Sequence, residues 1–155
     1  MSDSIQQRLQ AAGIELPPAP APVAAYVGFV EHNNIVTVSG QLPFVDGKLL
    51  HTGQCGDSVT VEQAAAAARQ CAINLLSQMA AACNGNLERI VQCIRLGGFV
   101  ASTVDFYDHP KVVNGASELI SEILGDRGNH ARAAVGVAVL PMNAAVEVEG
   151  LFAIR

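Results

Sequence analysis

Charge is scarce in this chain, and positive charge is scarcest: nine Lys and Arg stand against 14 Asp and Glu, for a formal net charge of −5. No basic cluster is present, which argues against an electrostatic grip on nucleic acid or on an anionic membrane. A small anionic ligand would have to be caught by a local cation. The four cysteines, at 55, 71, 83 and 93, form no CxxC and no short Cys/His pairing. A zinc site is therefore not expected, and the thiols read as reduced. No apolar run approaches the ~20 residues of a membrane span, and Met1-Ser2-Asp3-Ser4 has neither the basic nor the apolar region of a secretion signal. The expectation is a cytoplasmic protein with neither membrane nor nucleic acid as a partner. Tryptophan is absent and aromatics are only 5% of residues, yet half the chain is hydrophobic. Small aliphatics supply the difference. The 155 residues amount to one domain, and the apolar surplus points either to subunits that bury surface against one another or to a tight Ala/Val core.

The elements follow from local signals. Ser4 can cap a short helix to Ala12 that Gly13 ends, after which Leu16 to Pro22 must be extended because proline fixes φ and restrains its predecessor. This divides the chain into an N-terminal helix and proline-rich arm, 1–23, and a main body, 24–155. Tyr26–Val30 and Ile35–Val38 read as two strands around the turn His32-Asn33-Asn34. Ser39-Gly40-Gln41-Leu42-Pro43 follows, where glycine either lets the backbone approach an anionic ligand or merely turns the chain before a proline. Val45-Asp46-Gly47-Lys48 is a further turn. Thr60-Val61-Glu62-Gln63 is a capping box opening a helix to about Cys83, which Asn84-Gly85-Asn86 stops. Ile90–Ala101 reads as a long strand whose Gly97-Gly98 marks a bulge or a close backbone contact. Pro110–Leu124 reads as a second helix with an apolar stripe of Val112, Val113, Ala116, Leu119, Ile120 and Ile123.

The most informative stretch runs from His130 to Pro141, answered by Val146-Glu147-Val148-Glu149. It reads as two apolar strands joined by a turn at Pro141–Ala144. One arginine and two carboxylates stand where a buried sheet should have none. A guanidinium is a planar fork that matches two carboxylate oxygens at once, so Arg132 is a candidate clamp for an acid. The alternative is an arginine snorkelling from a strand mouth, with both glutamates on an exposed sheet face. Strand, strand, helix, strand, helix, strand, strand, with a hairpin at each end, is an α+β chain: a mixed sheet with two helices packed on one face.

The combination of Tyr26, Ser39-Gly40-Gln41-Leu42-Pro43, Asn114, Arg132, Leu140-Pro141 and Glu147-Val148-Glu149 resembles the YjgF/RidA family, also known as endoribonuclease L-PSP-like proteins. The resemblance covers the chain from about Tyr26 to its end. It implies a chorismate-mutase-like fold and a homotrimer whose sheets form a central barrel, with ligand clefts between neighbouring subunits. It further implies hydrolysis of reactive enamines and imines, such as 2-aminoacrylate and 2-imino acids, to 2-oxo acids and ammonia. Carried over, Arg132 would clamp the substrate carboxylate and Glu147 would activate water or shuttle a proton to the leaving nitrogen. Ser39 and Gly40 would supply backbone donors, Tyr26 would wall the pocket, and Asn114 would reach in from the second helix. An imine is already prone to hydrolysis, so positioning and one base suffice, and neither metal nor cofactor is expected.

Several positions depart from the family pattern. Ala134 stands where many relatives have cysteine, His130 where proline or alanine is usual, and Gly136 where glutamate is common. The segment Tyr107-Asp108-His109-Pro110 is longer than in short members, and the arm to Pro22 is extra. His130 is either a second acid/base near Arg132 or a turn residue facing solvent. Glu149 shares a strand face with Glu147 and so either joins the site or neighbours it. The variant pocket at Ala134 and His130 keeps open a trimer that binds 2-oxo acids without turnover, and the family's older label suggests a ribonuclease, against which the acidic balance counts.

Overall fold

The computed structural model describes residues 3–155. Ser4 caps α1 (Ile5–Ala11) through a reciprocal pair in which the Gln7 N–H donates to Ser4 Oγ and the Ser4 N–H donates to Gln7 Oε1. This helix docks into the same core as the rest of the chain, with Ile5 and Leu9 fully buried. The Ile5 N–H donates to Glu88 Oε1 at 2.7 Å. That bond, with help from Arg127, holds the Glu88 carboxyl below the usual carboxylate range.

Seven strands follow: β1 (Phe29–His32), β2 (Ile35–Gln41), β3 (Phe44–Val45), β4 (Lys48–Leu49), β5 (Ile90–Ala101), β6 (Ala131–Val137) and β7 (Val146–Ile154). The long helices are α2 (Val61–Ala82) and α3 (His109–Leu124). The capping box at Thr60 is present as read, with both Thr60–Gln63 hydrogen bonds made. Asn84 and Gly85 take positive φ just beyond α2 and terminate it, and Asp46-Gly47 turns the small β3–β4 hairpin in the same left-handed way. Tyr26 lies outside β1, in an irregular segment held by Ser39, whose N–H donates to the Gly28 carbonyl and whose hydroxyl donates to that of Val27.

The main sheet has the order β1-β2-β7-β5-β6. The β1–β2 hairpin is as expected, but the C-terminal hairpin is not. β6 pairs in parallel with β5, and β7 lies antiparallel on the other side of β5, so β5 separates the two strands that sequence proximity suggested would pair. The parallel β5–β6 pair is made by a crossover through α3, and the eight residues between β6 and β7 carry the chain over β5. A bend at Met142 and Asn143, both at positive φ, turns that connection.

The core lies between this sheet and the layer of α2 and α3. Val146, Val148, Phe152 and Ile154 on β7, with Leu96 and Val100 on β5, face the helices and are buried. Small residues bring the layers close: Gly98 lies under Val113 of α3, and Gly115 of α3 lies against the Ala65 backbone of α2. No helix among the described residues covers the other sheet face. No helix among the described residues is long and apolar enough to cross a membrane.

Candidate active site

Strand alternation decides where each candidate side chain points. Leu96 of β5 pairs with Arg132 on one side and Gly150 on the other, and Gly150 is packed under Leu75 of α2. Arg132 is therefore on the helix face. Its Nη1 donates to Ser117 Oγ at 3.1 Å and its Nη2 to the Pro110 carbonyl at 3.2 Å, both on α3. Asn114 lies on the α3 stripe between these two contact residues. Ala134 and Gly136 continue the row on β6. Over Gly136, where a Cβ would overlap the ring of His109 and stand 2.6 Å from Ser102 Oγ, the Ser102 hydroxyl meets His109 Nε2 at 3.0 Å. The missing side chain at Gly136 thus makes room for a hydroxyl–imidazole pair, which sequence reasoning did not anticipate. The glycine at a strand position was its only available signal.

Glu147 points the other way. It pairs with Phe99 of β5 on the open sheet face, as Glu149 pairs with Gly97. Each carboxylate lies over a glycine of an adjacent strand. A Cβ on Gly40 would overlap Glu147 Oε1 and lie 2.9 Å from its Cδ, and a Cβ on Gly97 would lie 2.7 Å from Glu149 Oε1. Glu149 is paired with Arg95 at 3.3 Å, whereas Glu147 has no cationic partner within salt-bridge distance among the described residues. Burial, and then the charge of Glu149, push the Glu147 carboxyl above its ordinary range. That is the direction a carboxylate needs to exchange a proton near neutral pH.

Tyr26, Gly28 and Gly40 line one narrow cleft with Gln41, Leu42 and the arm at Pro20–Val23. Gln78 of α2 donates to the Pro20 carbonyl at 2.8 Å and fixes the arm there. Ser39 and Gly40 sit within β2 at a register shift between Val38 and Gln41, so they form a strand bulge. The hydroxyl and N–H of Ser39 are already engaged with Val27 and Gly28. Of the expected backbone donors, Ser39 is thus committed to holding the Tyr26 segment.

The candidates divide into two groups. Tyr26, Ser39, Gly40 and Glu147 belong to one, and Asn114 and Arg132 to the other. Within one chain Arg132 and Glu147 lie two strand spacings apart, about 10 Å, and three residues apart along the strands, about 10 Å more, on opposite faces. One subunit cannot bring them together.

Comparison with known proteins identifies the family and the fold. A family model described as "YjgF/chorismate mutase-like, putative endoribonuclease" matches residues 6–154. The Trypanosoma cruzi protein TCP17 is 47% identical over 151 residues, spanning 97% of this chain and 94% of that protein. The crystal structure of Atu1372 from Agrobacterium tumefaciens superposes with a TM-score of 0.92 at 48% identity, covering 97% of this chain and 92% of the other. A Shewanella oneidensis structure described as a putative endoribonuclease superposes at 0.94 with 36% identity, covering 98% and 100%.

Proposed function

The chain belongs to the YjgF/chorismate mutase-like family, and from that membership we propose that it is a RidA-like deaminase that hydrolyses 2-imino acids and their enamine tautomers to 2-oxo acids and ammonia. The observation that carries the reading is the opposed placement of Arg132 and Glu147. One face presents a guanidinium held by α3, with three of its five N–H groups uncommitted among the described residues. The opposite face presents a carboxylate with raised proton affinity. Copies packed head to tail in a closed ring would bring the Arg132 face of one subunit to the Glu147 face of the next. We take that ring to be the family's homotrimer.

In such a cleft Arg132 fixes the substrate carboxylate and so orients the imine carbon. Glu147 accepts a proton from the water that attacks that carbon and delivers it to the nitrogen as the C=N bond becomes single, which leaves the carbon bearing one hydroxyl and one amino group. The hydroxyl proton then passes through Glu147 to the nitrogen. Ammonia departs as the C=O bond forms, and imine plus water gives 2-oxo acid plus ammonia. Tyr26 walls the site, and Asn114 flanks the carboxylate from α3. The ribonuclease label is less well supported: the chain carries a net charge of −5 and no basic cluster to hold a phosphate backbone.

The test is release of ammonia and 2-oxo acid from 2-imino acids generated in situ by an amino-acid oxidase. The intact protein should accelerate release, and Arg132→Ala and Glu147→Gln should each abolish the acceleration while oligomer size stays the same. A rate no faster than buffer, with 2-oxo acid still bound, would replace the deaminase with a metabolite-binding protein.

A further inference from the structure

Arg132 stands at the end of a hydrogen-bonded chain that begins in the turn before its strand. His130 Nδ1 lies 2.6 Å from the Gly128 carbonyl oxygen, and His130 Nε2 lies 2.9 Å from Ser117 Oγ, the atom that accepts from Arg132 Nη1. A carbonyl can only accept, so Nδ1 carries the proton, and in the neutral ring Nε2 is left as an acceptor. The Ser117 hydroxyl then donates to Nε2, and its lone pair receives the arginine N–H. The starting point is fixed as well. Gly128 is buried, and a Cβ there would lie 2.5 Å from the Ile120 carbonyl oxygen of α3, so its backbone is packed directly on the helix.

We infer that His130 and Ser117 are positioning residues that set the plane of the Arg132 guanidinium for an incoming carboxylate. The inference rests on the reading of Arg132 as the substrate clamp. Period-two alternation puts His130 and Arg132 on the same side of the chain, and Ser117 is the one α3 side chain that hydrogen-bonds to both. A free arginine loses rotamer freedom when it closes on a ligand. One held in advance by Ser117 and the Pro110 carbonyl has already lost it, which leaves more of the interaction energy for binding.

The probe is 2-oxobutanoate, with 2-oxobutanamide as its uncharged counterpart, titrated calorimetrically into the assembled protein. Ser117→Ala, which removes a single oxygen, should weaken 2-oxobutanoate binding roughly five- to tenfold, the worth of one hydrogen bond, while binding of the amide stays unchanged. KM for the imino acid should rise by the same factor with kcat unaltered, because the carboxylate is held equally in ground and transition states. His130→Leu should match Ser117→Ala, the double variant should be no worse than either alone, and Ser117→Thr should restore binding.

If Ser117→Ala and His130→Leu both bind within twofold of the intact protein, the positioning role is refuted. Equal losses for acid and amide would refute it too, by showing general damage to the pocket. Should His130→Leu fail to fold, the Ser117→Ala and Ser117→Thr pair decides alone. Arg132→Ala separates the two layers of the argument. If that variant still binds 2-oxobutanoate, the clamp reading itself is wrong, whereas if only it loses binding, the clamp stands and the relay falls.

Discussion

Gly40→Ala is the most informative single substitution for the Glu147 side of the site. Gly40 does not have positive φ, so its backbone suits alanine, and the obstacle to a methyl group is the Glu147 carboxylate. The new Cβ would stand 2.9 Å from Glu147 Cδ and overlap Oε1. Ordinary carbon contacts need about 3.5 Å, so the carboxylate must retreat by about 1 Å. It can do so, because it is the far end of a flexible, partly exposed side chain. The cost to the fold is one strained or exchanged rotamer, about 0.5–1.5 kcal/mol, partly offset by the lower entropy of alanine in the unfolded chain. Tm should change by no more than a few degrees. A general base displaced by about 1 Å loses about 100-fold in rate, equivalent to about 2.7 kcal/mol in the barrier. The assay is imino acid hydrolysis under saturating substrate, with thermal unfolding and oligomer size measured on the same samples. Gly97→Ala is the matched control, since its Cβ would press on Glu149 and Arg95 and leave Glu147 alone. A Gly40→Ala protein that keeps more than a third of its activity would refute the claim that the carboxylate must occupy this seat.

Two further consequences concern stability. Burial and the neighbouring Glu149 raise the Glu147 carboxyl, so the folded state favours its neutral form; stability is fully present below the unfolded pKa and is lost as pH rises through the folded one. Glu147→Gln should therefore be more thermostable than the intact protein at pH 7, and the gain should vanish near pH 4 in a Tm-against-pH series. Gly115→Ala should destabilise despite its better helix propensity, because the methyl would overlap the Ala65 carbonyl oxygen where α2 and α3 touch. Overpacking of this kind costs about 1–3 kcal/mol, readable in urea unfolding.

The elements were legible because their signals are local. Ser4 with Gln7 and Thr60 with Gln63 form caps within four residues, and the positive φ of Asn84, Gly85, Asp46 and Gly47 is what those residue types tolerate. The C-terminal hairpin was misread because two apolar strands joined by a short connection look alike whether they pair directly or straddle a third strand. Only the β5 register separates the cases. The same missing register hid the division of the site. Parity along β7 places Glu147 and Glu149 together from sequence alone, but whether Arg132 shares their face depends on how β6 is set against β5. Ser39 and Gly40 are engaged in ways that differ from those expected: one ties down the Tyr26 segment, and the other makes room for a carboxylate. The YjgF/RidA resemblance supplied these residues together; periodicity would not have grouped them.

If each cleft takes Arg132 from one subunit and Glu147 from the next, two dead proteins should make a live one. In assemblies of Arg132→Ala alone every cleft lacks the clamp, and in assemblies of Glu147→Gln alone every cleft lacks the base. When the two are unfolded together in equal amounts and refolded, a complete cleft needs a Glu147→Gln subunit on its arginine side and an Arg132→Ala subunit on its glutamate side. Each occurs half the time at random, so about one quarter of clefts recover in any closed head-to-tail ring. Activity should return to about a quarter of the refolded intact protein, and it should not return when the variants are mixed without unfolding if subunits exchange slowly. A site confined to one chain predicts none, since every chain in the mixture carries one defect. Failure to complement, with mixed assemblies shown to form, would contradict the opposed placement of these two side chains as the basis of the active cleft.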